Sequence, residues 1–186
     1  MRIITSAVLM ALAGMVAACQ DREAQPTNEA SPEVSETRGD ALKVAMGNAG
    51  DLTVSTQLLA MSQLETALDG KGSYTVFAPV DAAWSSLGAA ELQSLESAES
   101  RPQLVAVWRQ HIAPGYVLAF DLDEGLARNN GSVTLATMGA RPITLKRDDK
   151  AIVLGEGENA PQIIGAPIVS GNVVIYRIDK LIPPPQ

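Results

Sequence analysis

The segment Tyr74–Trp84 changes structural period within a few residues, and this switch constrains the fold more than any other part of the chain. Thr75 to Ala78 are β-formers and small residues that read as a buried strand. Pro79 ends that strand, because proline lacks a ladder N–H and pushes Ala78 into extended geometry. Asp81 is placed to cap a short helix through Ala82, Ala83 and Trp84, its carboxylate accepting N–H groups that a first turn leaves unpaired. Gly88 is placed to stop that helix.

Two further stretches carry comparable information. In Leu104–Gly115, Leu104, Trp108 and Ile112 recur every four residues with Val105 beside them, which predicts one apolar helix face. Ser100 is placed to cap this helix, Pro102 falls in the first turn where proline is tolerated, and Pro114-Gly115 breaks it. Near the end, Asn172–Pro183 contains a β-branched run that reads as a strand with little exposure.

These three stretches resemble the signature boxes of fasciclin domains. Thr75-Val76-Phe77-Ala78-Pro79-Val80-Asp81-Ala82-Ala83-Trp84 is similar to the first box, T-x-F-A-P-x-(D/N)-x-A-(F/W). The second box, L-x-x-V-L-x-Y-H-V-(V/I)-P-G, is matched by His111, Pro114 and Gly115, with Gln110 where the family has tyrosine. Asp121-Leu122 follows at the spacing of a frequent family D-L. The third box, N-G-V-I-H-x-I-D-x-V-L-x-P, is matched by Asn172, Val174, Ile175, Ile178, Asp179 and Pro183. Here Val173 replaces glycine and Tyr176 replaces histidine. The resemblance covers about Asp40 to Pro185.

The N-terminus indicates where such a domain works. Arg2 precedes a largely apolar run, Ile3 to Ala18, shorter than the roughly 20 residues of a spanning helix. A positive start, a short apolar core and small residues at its end describe an export signal. Val16-Ala17-Ala18-Cys19 resembles the lipobox of bacterial lipoproteins, which implies cleavage after Ala18 and lipidation of Cys19, the chain's single cysteine. An ordinary signal peptide with an incidental cysteine is the alternative. Gln20 is not the aspartate that retains many lipoproteins in the inner membrane, which points to the outer membrane in a Gram-negative host. Residues 19–39 are acidic, with Pro26, Pro32 and scattered Ser, Thr and Asn, and predict a disordered tether. Residues 1–18 are then the signal, and 40–186 one folded domain, long enough for a core without disulfides.

Helical patterns fall in the first half, at Asp40–Met46 with Asp40 as cap, at Val54–Leu68 interrupted near Ser62, and at the stretches above. Strand patterns fall in the second half, including Ile143–Lys146 and Ala151–Leu154. Asn129-Asn130-Gly131 reads as a tight turn between extended segments, with Met138-Gly139 and Asp148-Asp149 as further turns. The segregation predicts an α+β fold. The resemblance implies the same class, a wedge of β-sheets with helices along one side.

The net charge of −7 excludes nucleic acid as a natural partner, since that demands clustered Lys and Arg. Catalysis has little to work with. One histidine cannot supply a multi-His zinc site, and an anchored Cys19 leaves no thiol nucleophile, so no catalytic residue, metal or cofactor is expected. His111 falls in the last turn of an apolar helix, where a structural role and a catalytic or binding one are both open. Asp121-Leu122-Asp123-Glu124-Gly125 reads as a solvated acidic turn rather than a calcium loop. Asn130-Gly131-Ser132 is a sequon that hairpin geometry already explains, and Arg38-Gly39-Asp40 is an integrin-type tripeptide of a kind that recurs by chance.

The family resemblance implies a non-enzymatic extracytoplasmic module for adhesion or binding, facing a protein or polysaccharide partner and held to a membrane through Cys19. It implies structural roles for Thr75, Phe77, Pro79, Asp81, His111, Pro114, Gly115, Asn172 and Asp179. Animal adhesion members place Asp-Ile before the third box; here Pro167-Ile168 stands there, so that contact does not carry over. A carrier of an apolar pigment or lipid is the alternative function, and an unrecognised hydrolase the third.

Overall fold

The computed structural model describes residues 38–68 and 72–183. The export signal, Cys19 and all but the last two residues of the tether lie outside the described residues. Six helices surround the first strand in sequence: α1 (Arg38–Gly47), α2 (Thr53–Ser62), α3 (Glu65–Leu68), then β1 (Tyr74–Pro79), α4 (Asp81–Ser85), α5 (Ala89–Leu95) and α6 (Arg101–His111). After these come β2 (Ile112–Pro114), α7 (Ala119–Arg128), β3 (Ser132–Leu135), β4 (Ile143–Asp148), β5 (Ala151–Leu154), β6 (Ile163–Ser170) and β7 (Val173–Ile178).

The strands form two sheets, ordered β2-β1-β7-β6 and β3-β4-β5. The central pair β1 and β7 is parallel, from Tyr74 opposite Val173 to Pro79 opposite Ile178. Apart from Thr75 and Arg177, both strands are apolar on both faces, and the packing explains why. Val76, Ala78, Val173 and Ile175 turn toward the helices and join Leu42, Leu58, Trp84 and Trp108. Phe77, Val174, Tyr176 and Ile178 turn the other way, onto Leu122 and Leu126 of α7 and Ile143, Leu145 and Leu154 of the second sheet. A strand covered on both sides loses polar alternation and reads as a continuous apolar run. The class is α+β, as the segregation of helical and strand patterns predicts.

Several local expectations are corrected. Helix α1 begins at Arg38, so Asp40 lies inside its first turn instead of capping it, and Arg38-Gly39-Asp40 is helical. Ser100 does not cap α6; its hydroxyl pairs with that of Ser97. Ile112 is not part of the α6 face, because the helix ends at His111 and Ile112 opens β2. Asp121–Gly125 is helical, within α7. The turn at Asn129–Gly131 therefore joins a helix to a strand. Asn130 and Gly131 have φ of 53° and 80°, and the Gly131 N–H closes on the Leu126 carbonyl at 2.8 Å, as helix C-terminal motifs do. Gly88, with φ of 85°, opens α5; α4 has already ended at Ser85.

Asp81 is the most consequential correction. It is the first residue of α4 and makes no capping bond there. Its Oδ1 instead accepts the Val54 N–H at 2.8 Å, in the first turn of α2. The residue preceding α2 is Leu52, which is buried and has no side-chain acceptor, so Asp81 caps a helix that cannot cap itself. The Asp81 N–H also donates to the Asp51 carbonyl at 2.9 Å. Asp81→Ala is expected to cost about 1 kcal/mol, the usual loss for a removed cap, and Asp81→Asn less, since it keeps an acceptor. Urea midpoints of the two variants measure this; equal midpoints for Asp81→Ala and wild type would remove the capping role.

Candidate functional site

The box residues converge on one short segment. Thr75 is fully buried on β1, and its hydroxyl donates to the Gly115 carbonyl at 2.9 Å and accepts the Val117 N–H at 3.1 Å. The Tyr176 hydroxyl, from β7, donates to the Val117 carbonyl at 3.0 Å. Gly115 has φ of 114°, a region that favours glycine, and its N–H donates to the Ser73 carbonyl at 2.8 Å. The Leu118 N–H donates to Asp121 Oδ2 at 3.1 Å. Residues 115–118 are thus fixed by bonds from two central strands and from α7.

This clamp decides which side chains face out. Val117 is partly buried against the second core, whereas its neighbours point away. Tyr116 and Leu118 are exposed, and Phe120, in the first turn of α7, is 69% exposed. Exposed Asp121 and Asp123 follow directly. They also act on Tyr176: burial, then the charges of Asp121 and Asp123, push its hydroxyl up to about 12, so it stays a donor. Tyr116, Leu118 and Phe120 thus stand exposed on a segment with a fixed backbone, beside Asp121 and beside Asp123, which pairs with Arg147.

The other box residues take structural positions. Phe77 stacks on Tyr176 with ring centroids 5.7 Å apart. The Pro79 carbonyl accepts the Ser55 hydroxyl at 2.6 Å, and Trp84 Nε1 donates to the same Ser55 oxygen at 2.7 Å. The Asn172 amide donates to the Gly72 carbonyl, and the Asn172 carbonyl accepts the Tyr74 N–H at 3.1 Å. Asp179 Oδ1 accepts the Gln162 N–H at 2.7 Å. Pro114 is exposed opposite Tyr74.

His111 is 1% exposed and bonded at both nitrogens. Nδ1 lies 2.8 Å from the Val107 carbonyl, and Nε2 accepts the Ile182 N–H at 3.1 Å. A carbonyl on one side and an N–H on the other fit the neutral Nδ1–H tautomer. Desolvation by burial lowers its pKa to about 4, against a smaller upward push from the Val107 bond. Gln110, at the tyrosine position of the second box, is also buried; its Nε2 donates to the Arg141 carbonyl at 2.8 Å. It separates two open clefts. One, of about 350 Å³, is lined by Thr144, Glu156, Asn159, Pro161 and Ile182 among others. The second, of about 240 Å³, lies along α6. Among the described residues no three His, Cys, Asp or Glu side chains converge as metal ligands.

Residues 50–184 match the Fasciclin domain model. The chain belongs to the fasciclin domain family. It is 31% identical to Protein sll1483 of Synechocystis sp. over 163 residues, covering 86% of this chain and 84% of that protein. It is 28% identical to Immunogenic protein MPB70 of Mycobacterium bovis, covering 87% of this chain and 77% of that one. Against Transforming growth factor-beta-induced protein ig-h3 of Sus scrofa it is 31% identical over 88% of its own length, but spans only 22% of that protein. Among solved structures, the FAS1 domain pair of the insect cell adhesion molecule Fasciclin I superposes with a TM-score of 0.60 at 18% identity, over 70% of this chain and 46% of that one. This likeness concerns the fold. Membership of a family known in adhesion proteins supports a binding module.

Sequence reasoning located the box residues but not the strip they hold. Tyr116, Leu118 and Phe120 alternate in the sequence, a signal that was available, but exposed apolar residues read as core by default.

Proposed function

We propose that this chain is a membrane-tethered, non-enzymatic binding module that captures a protein outside the cytoplasm through Tyr116, Leu118 and Phe120. The observation that carries this reading is the exposed strip fastened by fasciclin-box residues. Exposed Asp121 at its edge favours a partner with an apolar contact surface next to a basic residue, whereas Asp123 is already paired with Arg147. Lipidated Cys19 supplies the anchor, and residues 20–37, which precede α1, the reach that the sequence composition predicts, a root-mean-square span of roughly 20–25 Å by the coil estimate. Several acyl chains make such attachment effectively permanent, at about 0.8 kcal/mol per buried CH₂. The adhesion role of Fasciclin I, named as an insect cell adhesion molecule, is in keeping with this reading.

The test uses intact cells carrying wild type, Cys19→Ala, or Leu118→Ser with Phe120→Ser. Both strip positions are exposed, so the double variant should melt with wild type. It should remain in the detergent phase with membranes yet lose cross-linked partners and surface attachment. Cys19→Ala should leave the detergent phase. Retention of the same partners by the double variant would remove the strip as the binding face, and an unmodified Cys19 in mature protein would remove the anchor.

A further inference from the structure

The cleft along α6 has a different chemistry from the strip. Pro102, Val105, Ala106 and Arg109 lie at helical spacings that put them on one face, spanning about 10 Å of axis. The opposite wall is Met138-Gly139-Ala140. That wall is fixed: the Met138 N–H donates to the Ile112 carbonyl at 2.8 Å, and the Gly139 N–H to the Thr137 hydroxyl at 3.1 Å. It also requires glycine. A Cβ on Gly139 would come within 2.6 Å of Gln110 Oε1 and 3.0 Å of the Gln110 backbone, so only Gly139 lets the turn close against α6. The groove is therefore a built feature of the domain, not a gap between mobile side chains.

Its lining is apolar except for Arg109 and Gln110, whose Nε2 is held by the Arg141 carbonyl. Arg109 is exposed and has no ion-pair or hydrogen-bond partner among the described residues. No Asp or Glu lines the groove. We propose that this groove binds a medium-chain fatty acid, with Arg109 holding the carboxylate and Pro102, Val105, Ala106 and Met138 covering the chain. The guanidinium fork matches a carboxylate in two parallel hydrogen bonds. A neutral apolar ligand would make no use of Arg109. A phosphate-headed ligand would need a second cation, which the lining lacks. The volume, about 240 Å³, lies below the roughly 300–1,000 Å³ of drug-sized sites, so the groove covers a medium-length chain and leaves the rest of a longer one in water. This site shares no residue with the strip and stands or falls independently of it.

The test is an amide-resolved NMR titration of the full chain carrying Cys19→Ser with decanoate below its micelle concentration. Saturable shifts confined to residues 102–110 and 138–140 are expected. Arg109→Gln should weaken binding about tenfold, the equivalent of one charge-assisted contact. Decan-1-ol should bind wild type about as weakly as decanoate binds that variant. Ala106→Trp, which fills the groove from an exposed position, should abolish the shifts while leaving the melting midpoint unchanged. Absence of saturable shifts, shifts centred elsewhere, or undiminished affinity in Arg109→Gln would overturn the proposal. Tighter binding of an N-acetylated trileucine carboxylate would overturn the fatty-acid assignment.

Discussion

Phe77→Ala is expected to lower stability by about 3–5 kcal/mol, as large-to-small changes in a core do. Phe77 is fully buried on the face of β1 that meets the second core. It pairs across the parallel ladder with Tyr176 and stacks on its ring at an interplanar angle of 22°. Removing the ring loses its transfer free energy, leaves a cavity between two central strands, and loses an aromatic pair of about 0.5–1.5 kcal/mol. Domains of this kind have about 5–15 kcal/mol in total, so the variant should sit close to unfolding at 37 °C. Two controls give the result its meaning. Phe120→Ala, at an exposed position, should leave the urea midpoint near wild type. Tyr176→Phe keeps the stack but drops the bond to the Val117 carbonyl, and should cost about 1 kcal/mol. A Phe77→Ala midpoint equal to wild type would mean that β1 does not carry two buried faces.

Much of the fold was legible because local pattern and tertiary role agree. Apart from Thr75 and Arg177, the β1 and β7 runs are apolar on both faces, and both faces are buried. The break near Ser62 is real, with Gln63 in left-handed geometry between α2 and α3. Legibility failed where tertiary contacts override local pattern. Ile112 continues the four-residue spacing of α6, so periodicity alone extends the helix into what is β2. Helix α7 hides behind its charges: Leu122 and Leu126 are its only buried positions, and the acids between them suggest a turn. Strand β6 went unrecognised because Gly165 and Pro167 interrupt it. They sit where its pairing with β7 shifts register, between Ile164 and Ile168, at a sheet edge that tolerates them. Asp81 shows the same limit for a site residue. A carboxylate at a helix start reads as that helix's own cap, and nothing local points to a recipient 27 residues earlier. The clamp on residues 115–118 is likewise assembled from three separate stretches, so its residues were visible and their convergence was not.

His111 should make stability pH-dependent in a window set by its burial. In the unfolded chain the imidazole titrates near 6.5; in the fold it resists protonation until about 4. The reason is local. The neutral ring satisfies Val107 and Ile182 together, and a proton added at Nε2 would face the Ile182 N–H, donor against donor. Because the folded value is depressed, the unfolded state binds the extra proton first as pH falls. The contribution is therefore complete above about 6.5, declines between 6.5 and about 4, and changes no further below that. At about 1.4 kcal/mol for each pH unit of that interval, the loss is on the order of 3–3.5 kcal/mol. Carboxylates also titrate on this path, so the measurement compares wild type with His111→Gln. At pH 7 the variant should be less stable by about 1–3 kcal/mol, having lost buried hydrogen bonds. As pH falls to 4 the gap should close, or change sign, because only wild type loses the histidine contribution. A wild-type advantage that is the same at pH 7 and pH 4 would mean that His111 titrates alike in the folded and unfolded chains, and that its burial does not hold the imidazole neutral.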